Sequence, residues 1–250
     1  MRVLPAVLFG IVLAAPAAAQ TAGELVAKNL QAKGGIEKIK AIRSLRMTGK
    51  LQGGGGFKAR VGSTALAPNL RRETFTVQGM SDIQAYDGST GWHISPFGGR
   101  KDPELLGEDD LRGLSEDADF YGPLVDYQQK DNRVEYLGHD TVDGDDAYRL
   151  KVTLANGDIL YYYLDPDTYL EIRVETVRFI RGSVQESFRN LGSYKLVAGV
   201  YFPFSIEAGS KQNPESAAKI AIDNIEANVA VNPQEFKVPA APAGAAGKEF

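Results

Sequence analysis

The sequence feature that most limits the fold is a series of short segments in which apolar residues recur at every second position. Between Tyr148 and Ala208, four segments each place three apolar side chains at alternate positions, which a β-strand presents on one face. Turn residues separate the segments, and Asn156-Gly157 is the strongest hairpin signal in the chain. The pattern therefore predicts antiparallel strands with one dry face rather than a parallel α/β sheet.

Further strands are predicted on both sides of this region from alternation, glycine-rich reversals and Asp-Gly turns. The predicted strands are Leu45–Leu51, Phe57–Ala67, Leu70–Gln78, Ile83–Tyr86, Trp92–Ser95, Val134–Thr141, Tyr148–Leu154, Ile159–Leu164, Tyr169–Phe179, Val184–Tyr194, Tyr201–Ala208 and Ala217–Ala227. Hairpin order predicts a mainly β (α+β) domain with a strongly curved antiparallel sheet of roughly 11–12 strands, an incomplete β-barrel.

Two parts of the sequence have helical patterns. Thr21 and Glu24 have capping-box spacing and predict an N-terminal helix that Gly34-Gly35 ends, with a second short turn from Ile36. Amphipathic stretches at Glu104–Glu116 and Ala118–Gln129 predict two short helices, separated at Gly122-Pro123. We expect these two helices to form a lid over the sheet.

The first nineteen residues are typical of a cleavable signal peptide, with Arg2, an apolar stretch and a small-residue cleavage site at Ala17–Ala19. The apolar stretch is too short to span a bilayer, which takes about 20 residues. Cleavage predicts a periplasmic mature chain without a transmembrane segment. We expect one domain over residues 20–238 and a disordered Ala/Pro/Gly-rich tail over residues 239–250.

Composition and motif spacing exclude several classes of function. A formal net charge of −4 disfavours nucleic acid as a partner, and the absence of cysteine excludes thiolate chemistry. The sequence has neither a P-loop nor a G-x-S-x-G motif, and His93 and His139 lack metal-ligand spacing. Asp143, Asp145 and Asp146 are too few and too close for a calcium loop and indicate a hairpin turn. We expect no catalytic residue, no metal, no cofactor and a monomeric protein.

The dry face of the sheet has two interpretations. It is either a core packed against the helices or the wall of a pocket for an apolar ligand, left open because the helices cannot fill the half-barrel. The candidate pocket residues are Phe75, Val77, Ile83, Trp92, Ile94, Leu150, Val152, Leu154, Leu160, Tyr162, Leu164, Leu170, Ile172, Val174, Phe202, Phe204 and Ile206. The candidate lid residues are Leu105, Leu111, Leu114, Phe120 and Leu124.

Charged residues are predicted on the outer surfaces. The strand positions expected to face water are Arg149, Lys151, Thr153, Glu171, Arg173 and Glu175. The acidic positions expected on the lid are Glu108, Asp109, Asp110, Glu116, Asp117 and Asp119. The acidic set is interpreted as a solvated helix face or as an acidic rim that meets a basic partner.

Several short motifs, in order, resemble the LolA-like family of outer-membrane lipoprotein-sorting proteins and lipoprotein carriers. The motifs are Ala67-Pro68-Asn69-Leu70, Ile83-Gln84-Ala85-Tyr86-Asp87-Gly88, Trp92 and Pro96-Phe97. The resemblance extends from Thr21 to about Pro239. It implies a half-barrel that binds lipid or the acyl chains of lipoproteins under a helical lid, with no catalytic residue or cofactor, and with transfer partners at the inner and outer membranes.

One position departs from the family pattern. The family's R-P-N motif has an arginine that latches the lid, and Ala67 occupies that position here, so the latch is not transferred to this chain. Two other functions stay open: a periplasmic sensor or protein-interaction domain that uses the acidic rim, and a hydrolase.

Overall fold

The computed structural model describes residues 20–99 and 102–239. The predicted signal peptide, and all of the predicted tail after Pro239, lie outside the described residues. Three α-helices occur within these ranges: α1 (Ala22–Ala32), α2 (Ile36–Ala41) and α3 (Glu108–Asp117). The capping box of α1 is present as predicted, because Thr21 Oγ1 accepts from the Glu24 backbone N–H at 3.2 Å and Glu24 Oε2 accepts from the Thr21 N–H at 2.8 Å.

Fifteen strands occur in the described part of the chain. They are β1 (Ser44–Gln52), β2 (Lys58–Leu66), β3 (Leu70–Val77), β4 (Met80–Tyr86), β5 (Gly91–Ile94), β6 (Glu104–Leu105), β7 (Arg133–Val142), β8 (Asp145–Thr153), β9 (Ile159–Leu164), β10 (Glu171–Ile180), β11 (Ser183–Gly192), β12 (Lys195–Val197), β13 (Val200–Phe202), β14 (Ser205–Ser210) and β15 (Ala218–Ala227).

Thirteen strands form one antiparallel sheet in the order β6-β5-β4-β3-β2-β1-β15-β14-β11-β10-β9-β8-β7, and β12 and β13 form a separate hairpin. The two halves of the sheet are meanders, and β15 joins them by pairing with β1 on one side and β14 on the other. The edge strands β6 and β7 do not pair with each other, so the sheet is not closed. The predicted incomplete β-barrel is confirmed.

The sheet is strongly curved. Arg71 on β3 and Arg189 on β11 are five strand steps apart, which would be roughly 24 Å in a flat sheet at about 4.8 Å per step. Both nevertheless line the same cavity. The sheet therefore bends around a concave face, and α1, α2 and α3 lie on that side.

The helix α1 fills one part of the concave face. Leu25 and Val26 of α1 are buried against Leu150, Val152 and Leu160 of β8 and β9. These side chains form the largest apolar cluster, in which Leu164, Val174 and Leu124 also take part. On β8–β10, most of the alternating apolar residues therefore belong to a core packed against α1.

Three predictions about elements were wrong. The second lid helix, Ala118–Gln129, is a series of turns, because Gly122 and Asp126 adopt positive φ values of 77° and 52° that a right-handed helix does not allow. The predicted strand Tyr201–Ala208 is divided between β13 and β14. The first lid helix, predicted over Glu104–Glu116, begins only at Glu108, because Glu104 and Leu105 pair with β5 as the short strand β6.

A β-bulge changes the faces of β10. Between Glu171 and Arg173 the register against β9 shifts, so that Glu171 lies opposite Leu164 and Val174 opposite Tyr162, on the concave side. Ile172, predicted with Val174, packs instead on the convex side with Tyr163. Glu171, predicted in water, is 4% exposed in the interior.

The convex side of β8–β11 is also less solvated than predicted. Glu175 is buried there, and its carboxylate contacts Arg173 Nε at 3.2 Å and Lys211 Nζ at 2.8 Å. Arg149 lies over the ring of Tyr161 at 4.5 Å and bonds Asp140 at 3.0 Å. Ion pairing and ring contacts therefore cover charged side chains that the alternation assigned to water.

Candidate functional site

Two cavities lie between the curved sheet and the helices. The helix-side cavity has a volume of about 340 Å³ and lies beneath α2 and the lid segment, which we define as residues 118–132. Its apolar lining includes Ile39, Phe120, Val125, Leu160, Tyr162, Val174, Leu191, Val200, Phe202 and Ile206. Its size lies in the range of small-molecule sites, which is roughly 300–1,000 Å³.

The sheet-side cavity has a volume of about 400 Å³ and lies over β1–β4, β14 and β15. Its floor is apolar and is made by Met47, Val61, Phe75, Ile206, Ala208, Ile220 and Ile222. Asp117, Arg189 and Ile206 line both cavities. The two cavities therefore meet at these three residues.

Three phenylalanines lie together at one end of the sheet-side cavity. The Phe75 ring stacks on Phe57 with centroids 5.8 Å apart and meets the edge of Phe97 at 6.4 Å. Phe57 and Phe97 are 43% and 45% exposed, so the cluster extends from the cavity lining to the surface. The three rings therefore lie at the side of the cavity that opens to solvent.

The wall of the sheet-side cavity over β3 and β4 is polar. Strand pairing places Glu73 beside Ser63 and Gln84, and all three side chains line the cavity. Arg71 Nε donates to Glu73 Oε1 at 2.7 Å, and Gln84 Nε2 donates to Glu73 Oε2 at 2.7 Å. Across the cavity, Arg189 Nη1 donates to Asp117 Oδ1 at 3.1 Å.

Arginines set the ionisation of Asp117. Burial by itself raises the pKa of this carboxyl group, but the charges of Arg189, Arg71 and Arg178 outweigh burial and leave the pKa below its ordinary value. Asp117 is therefore a carboxylate at neutral pH, and the cavity junction holds separated positive and negative charges.

A series of ion pairs connects α3 to the sheet. Glu116 Oε2 lies 2.7 Å from Arg178 Nη2, with both side chains mostly buried. Arg112 forms a close pair with Asp158, which is 1% exposed. Because the partner residues belong to β10, β11 and the β8–β9 turn, these pairs hold α3 across the concave face.

A second buried network lies below the helix-side cavity. Lys33 Nζ pairs with Glu171 Oε1 at 2.9 Å, and the Tyr194 hydroxyl donates to the Glu171 backbone oxygen at 2.8 Å. Burial acts to raise the pKa of Glu171, but the Lys33 charge and its hydrogen bond lower it below the ordinary value. Burial and the neighbouring Glu171 charge raise the pKa of Tyr194, so its hydroxyl stays neutral.

The candidate pocket residues fall into four groups in the structure. Those that line a cavity are Phe75, Leu160, Tyr162, Val174, Phe202 and Ile206. Those packed in the α1 cluster are Leu150, Val152, Leu154 and Leu164. Those turned to the convex side are Ile83, Trp92, Ile94 and Ile172. Those at strand ends or in turns are Val77, Leu170 and Phe204.

Trp92 shows why part of the candidate wall lies on the convex side. Gln84 and Tyr86 of β4 face the concave side, so the alternate residue Ala85 and its partner Trp92 face the other way. The Trp92 indole N–H donates to the Phe236 backbone oxygen at 2.8 Å, and both side chains are buried. The C-terminal segment therefore covers this part of the convex face.

The candidate lid residues are also divided. Phe120 lines the helix-side cavity, and Leu114 and Leu124 are buried. Leu111 packs against β5 so closely that a Cβ on Gly91 would lie 2.7 Å from its Cδ1. Leu105 is on β6 and is 66% exposed, so it does not face a cavity.

Most acidic residues of the predicted rim form ion pairs with arginine or lysine residues of the same chain. Five of them contact cations: Asp109 and Asp110 lie 3.5 Å from Arg181, Glu116 pairs with Arg178, Asp117 with Arg189, and Asp119 lies 2.6 Å from Lys130. Glu108 and Asp110 are exposed at the start of α3, whereas Glu116, Asp117 and Asp119 are partly or fully buried in ion pairs, so the set does not form one free acidic surface.

The two histidines lie apart. His93 Nε2 is 3.6 Å from Glu104 Oε2, and the His139 ring lies 4.8 Å from that of Tyr148. Residues 20–99 and 102–239 contain no group of three or more His, Asp or Glu placed to hold a metal ion. None of the helices in the same ranges is both long and apolar enough to cross a membrane.

Sequence reasoning missed the polar residues of the cavity wall: Arg71, Glu73, Gln84 and Arg189, together with the inward position of Asp117. The period-two pattern of β3 does place Arg71, Glu73 and Phe75 on one face. That signal was available, but charged residues on a strand are usually interpreted as its solvent face.

Neither a family model nor a curated protein matches the sequence. The fold is similar to solved structures at low sequence identity. A LolA superfamily protein from Nitrosomonas europaea matches with a TM-score of 0.57 and 12% identity, covering 88% of this chain and 98% of its own. A domain from Vibrio parahaemolyticus, provisionally described as an outer membrane lipoprotein-sorting protein domain, matches with a TM-score of 0.55 and 12% identity over 84% and 97% of the two chains.

A DUF1329 family protein from Desulfovibrio piger has the same fold, with a TM-score of 0.53 and 11% identity over 86% of this chain and 97% of its own. The similarity to this chain extends over almost the full length of each of the three solved structures. The described chain therefore has the fold of the LolA superfamily, as its sequence motifs predicted.

Proposed function

We propose that this protein is a periplasmic carrier that binds lipid or the acyl chains of lipoproteins in the two joined cavities. The observation that carries the proposal is the open space between sheet and helices, about 340 and 400 Å³, with mainly apolar lining. The LolA-like fold supports the same function. Cleavage of the signal peptide and exchange with transfer partners at the inner and outer membranes belong to the proposal.

The energetics require a cavity that opens. Burial of an acyl chain gains about 0.8 kcal/mol per CH₂, so a C16 chain gains on the order of 10 kcal/mol gross. A chain held that strongly leaves slowly unless the wall moves. The lid segment suits this role because it has no regular secondary structure. It contacts α2 through Asp126 with Lys40 at 2.7 Å, through Tyr121 with the Lys40 carbonyl at 3.3 Å, and through Val125, which packs against Ile39.

The direct test is native mass spectrometry, with lipid extraction, of the full chain purified from the periplasm. We expect acyl lipid to co-purify in a defined stoichiometry. A ligand-free protein that also fails to take up lipid from vesicles would overturn the proposal.

A matched pair of variants locates the ligand. Ile206 lines both cavities, so Ile206→Trp fills the junction and should lower the affinity for an acyl chain at least tenfold, by direct occlusion. Lys219→Trp adds the same ring on the neighbouring strand, where the side chain is 74% exposed, and should bind as the unmodified protein does. Equal binding by both variants would place the ligand elsewhere.

A further inference from the structure

The sheet-side cavity has an apolar floor, but its wall over β3 and β4 is polar and does not suit a ligand that consists of hydrocarbon alone. On β3–β5, strand pairing and pleating turn a continuous set of polar side chains toward the concave side: Arg71, Glu73, Asp82, Gln84, Tyr86 and His93. A hydrocarbon chain against these groups would exclude water from them and supply no hydrogen bond in its place, which is unfavourable. A ligand that fills this cavity must therefore carry polar groups to this wall.

The polar wall retains capacity to bind. A guanidinium group has five N–H donors, and in the described ranges Arg189 donates one hydrogen bond, to Asp117. The side chains of Arg71 and Arg189 keep 23% and 43% of their surface exposed while lining the cavity. Both guanidinium groups can therefore donate to a ligand without leaving their carboxylates.

The charges on the wall have both signs. Arg71 and Arg189 are cationic, whereas Glu73, Asp82 and Asp117 are acidic, and all five line the same cavity. A phosphate matches the guanidinium groups in geometry and charge, and an ammonium group matches the carboxylates. An anionic headgroup without an ammonium group would face three acidic residues, and a non-ionic headgroup would leave both signs unmatched.

We infer that the ligand is a zwitterionic phospholipid whose phosphate and ammonium groups lie in the sheet-side cavity against Arg71, Glu73, Asp117 and Arg189. Its acyl chain passes the junction at Ile206 into the helix-side cavity, where apolar side chains such as Phe120, Leu160 and Val174 form most of the lining. This inference rests on the proposed function and specifies its ligand. It also gives the polar wall of β3 and β4 a role, that of selecting the headgroup.

The test compares three single-chain lipids of equal chain length, titrated by calorimetry into the delipidated full chain below their critical micelle concentrations. They are lysophosphatidylethanolamine, lysophosphatidylglycerol and a monoacylglycerol, which are zwitterionic, anionic and non-ionic. We expect the zwitterionic lipid to bind at least tenfold more tightly than either of the others. Equal affinities, or tightest binding of the anionic lipid, would overturn the inference.

A charge-neutral double variant tests the wall itself. Arg71→Gln with Glu73→Gln removes one charge of each sign and should reduce the preference for the zwitterionic lipid over the monoacylglycerol to below threefold. Arg72→Gln, on the other face of β3, is the control and should keep the full preference. A double variant that keeps the preference would refute the role of the wall.

The outcomes separate the two proposals, and the comparison of three lipids does not depend on any variant folding. Binding of all three lipids without discrimination removes the headgroup inference and leaves the carrier function. Binding of none removes both.

Discussion

At the scale of single residues, the most consequential side chain outside the cavities is Glu171. A carboxylate that is 4% exposed would be strongly destabilising without its partner Lys33. The pKa of Glu171 lies below its ordinary value in the folded protein, so this carboxylate contributes stability above its unfolded pKa, and the contribution is lost as the pH falls.

The first prediction follows from this pair. Lys33→Met leaves Glu171 buried without its ammonium partner and should lower the free energy of unfolding by about 3 kcal/mol at pH 7. The difference in free energy of unfolding between Lys33→Met and the unmodified protein should decrease as the pH falls, because Glu171 becomes protonated in both. Urea denaturation between pH 7 and pH 4 measures it.

The control for this prediction is Lys50→Met. Lys50 pairs with Asp223 at 3.2 Å, but both side chains are about half exposed or more, so this change should cost less than about 1 kcal/mol at every pH. A pH-independent deficit in Lys33→Met, or an equal one in Lys50→Met, would contradict the account of Glu171.

Glu171 also shows where sequence interpretation fails at this scale. Strict alternation assigns Glu171 and Val174 to opposite faces, and a single bulge places both inside. The bulge is a backbone irregularity without a composition signal, so Glu171 and Ile172 were both assigned to the wrong face. In contrast, the Thr21–Glu24 capping box was predicted and confirmed, because it depends on local spacing alone.

At the scale of elements, α3 is held by ion pairs in addition to the apolar contacts of Leu111 and Leu114. Its buried apolar residue is Leu114, whereas its acidic residues reach Arg178, Arg181 and Arg189 on the sheet. The sequence showed the acids but not their partners, which are more than sixty residues away and become neighbours only through the curvature of the sheet. This is why an ion-paired helix was interpreted as a solvated one.

The second prediction concerns the stability of α3. Arg178→Gln leaves Glu116, 8% exposed, without its cation, and the loss of such a pair costs about 3 kcal/mol. If α3 opens locally, its amide hydrogens should exchange about 100-fold faster, as measured by hydrogen–deuterium exchange.

Arg181→Gln is the matched control, because Arg181 is 71% exposed and its acidic partners lie at 3.5 Å. Exposed pairs contribute about 0–1 kcal/mol, so exchange in α3 should change less than about fivefold. Similar acceleration by both variants would show that burial of the pair does not determine the stability of α3.

Regular elements were predictable where a local signal exists. Strand β9 was predicted with its observed bounds, and Asn156-Gly157 and Asp143-Gly144 form the hairpin turns that their sequences indicate. The lid segment was not predictable as turns, because its apolar spacing is compatible with a helix. Positive φ at Gly122 and Asp126 decides against it, and the Asp126 carboxylate pairs with Lys40 of α2.

At the scale of the whole molecule, the C-terminal segment closes a surface that the helices leave open. The Phe236 side chain is fully buried over β3–β5 on the convex side. Its backbone oxygen accepts a hydrogen bond from the indole N–H of Trp92, which is distant in sequence. The end of the described chain thereby stabilises the half of the sheet that carries the polar cavity wall.

The third prediction tests that closure. Phe236→Ala should lower the free energy of unfolding by about 4 kcal/mol, the typical cost of truncating a buried phenylalanine. It should also shift the fluorescence of Trp92, the only tryptophan in the chain, toward longer wavelength. Val238→Ala, at a position 38% exposed, should change stability by less than about 0.5 kcal/mol and leave the emission unchanged.

The sheet order has a consequence for how the chain is made. The meander β1–β6 and the meander that ends in β14 are joined only by β15, the last strand within the described residues. A nascent chain that emerges N-terminus first therefore carries two separate half-sheets, with β1 and β14 as unpaired edges, until β15 is synthesised. Unpaired edges are templates for pairing with other chains, so the arrival of β15 removes two edges that are prone to aggregation and leaves β6 and β7 as the edges of the finished sheet.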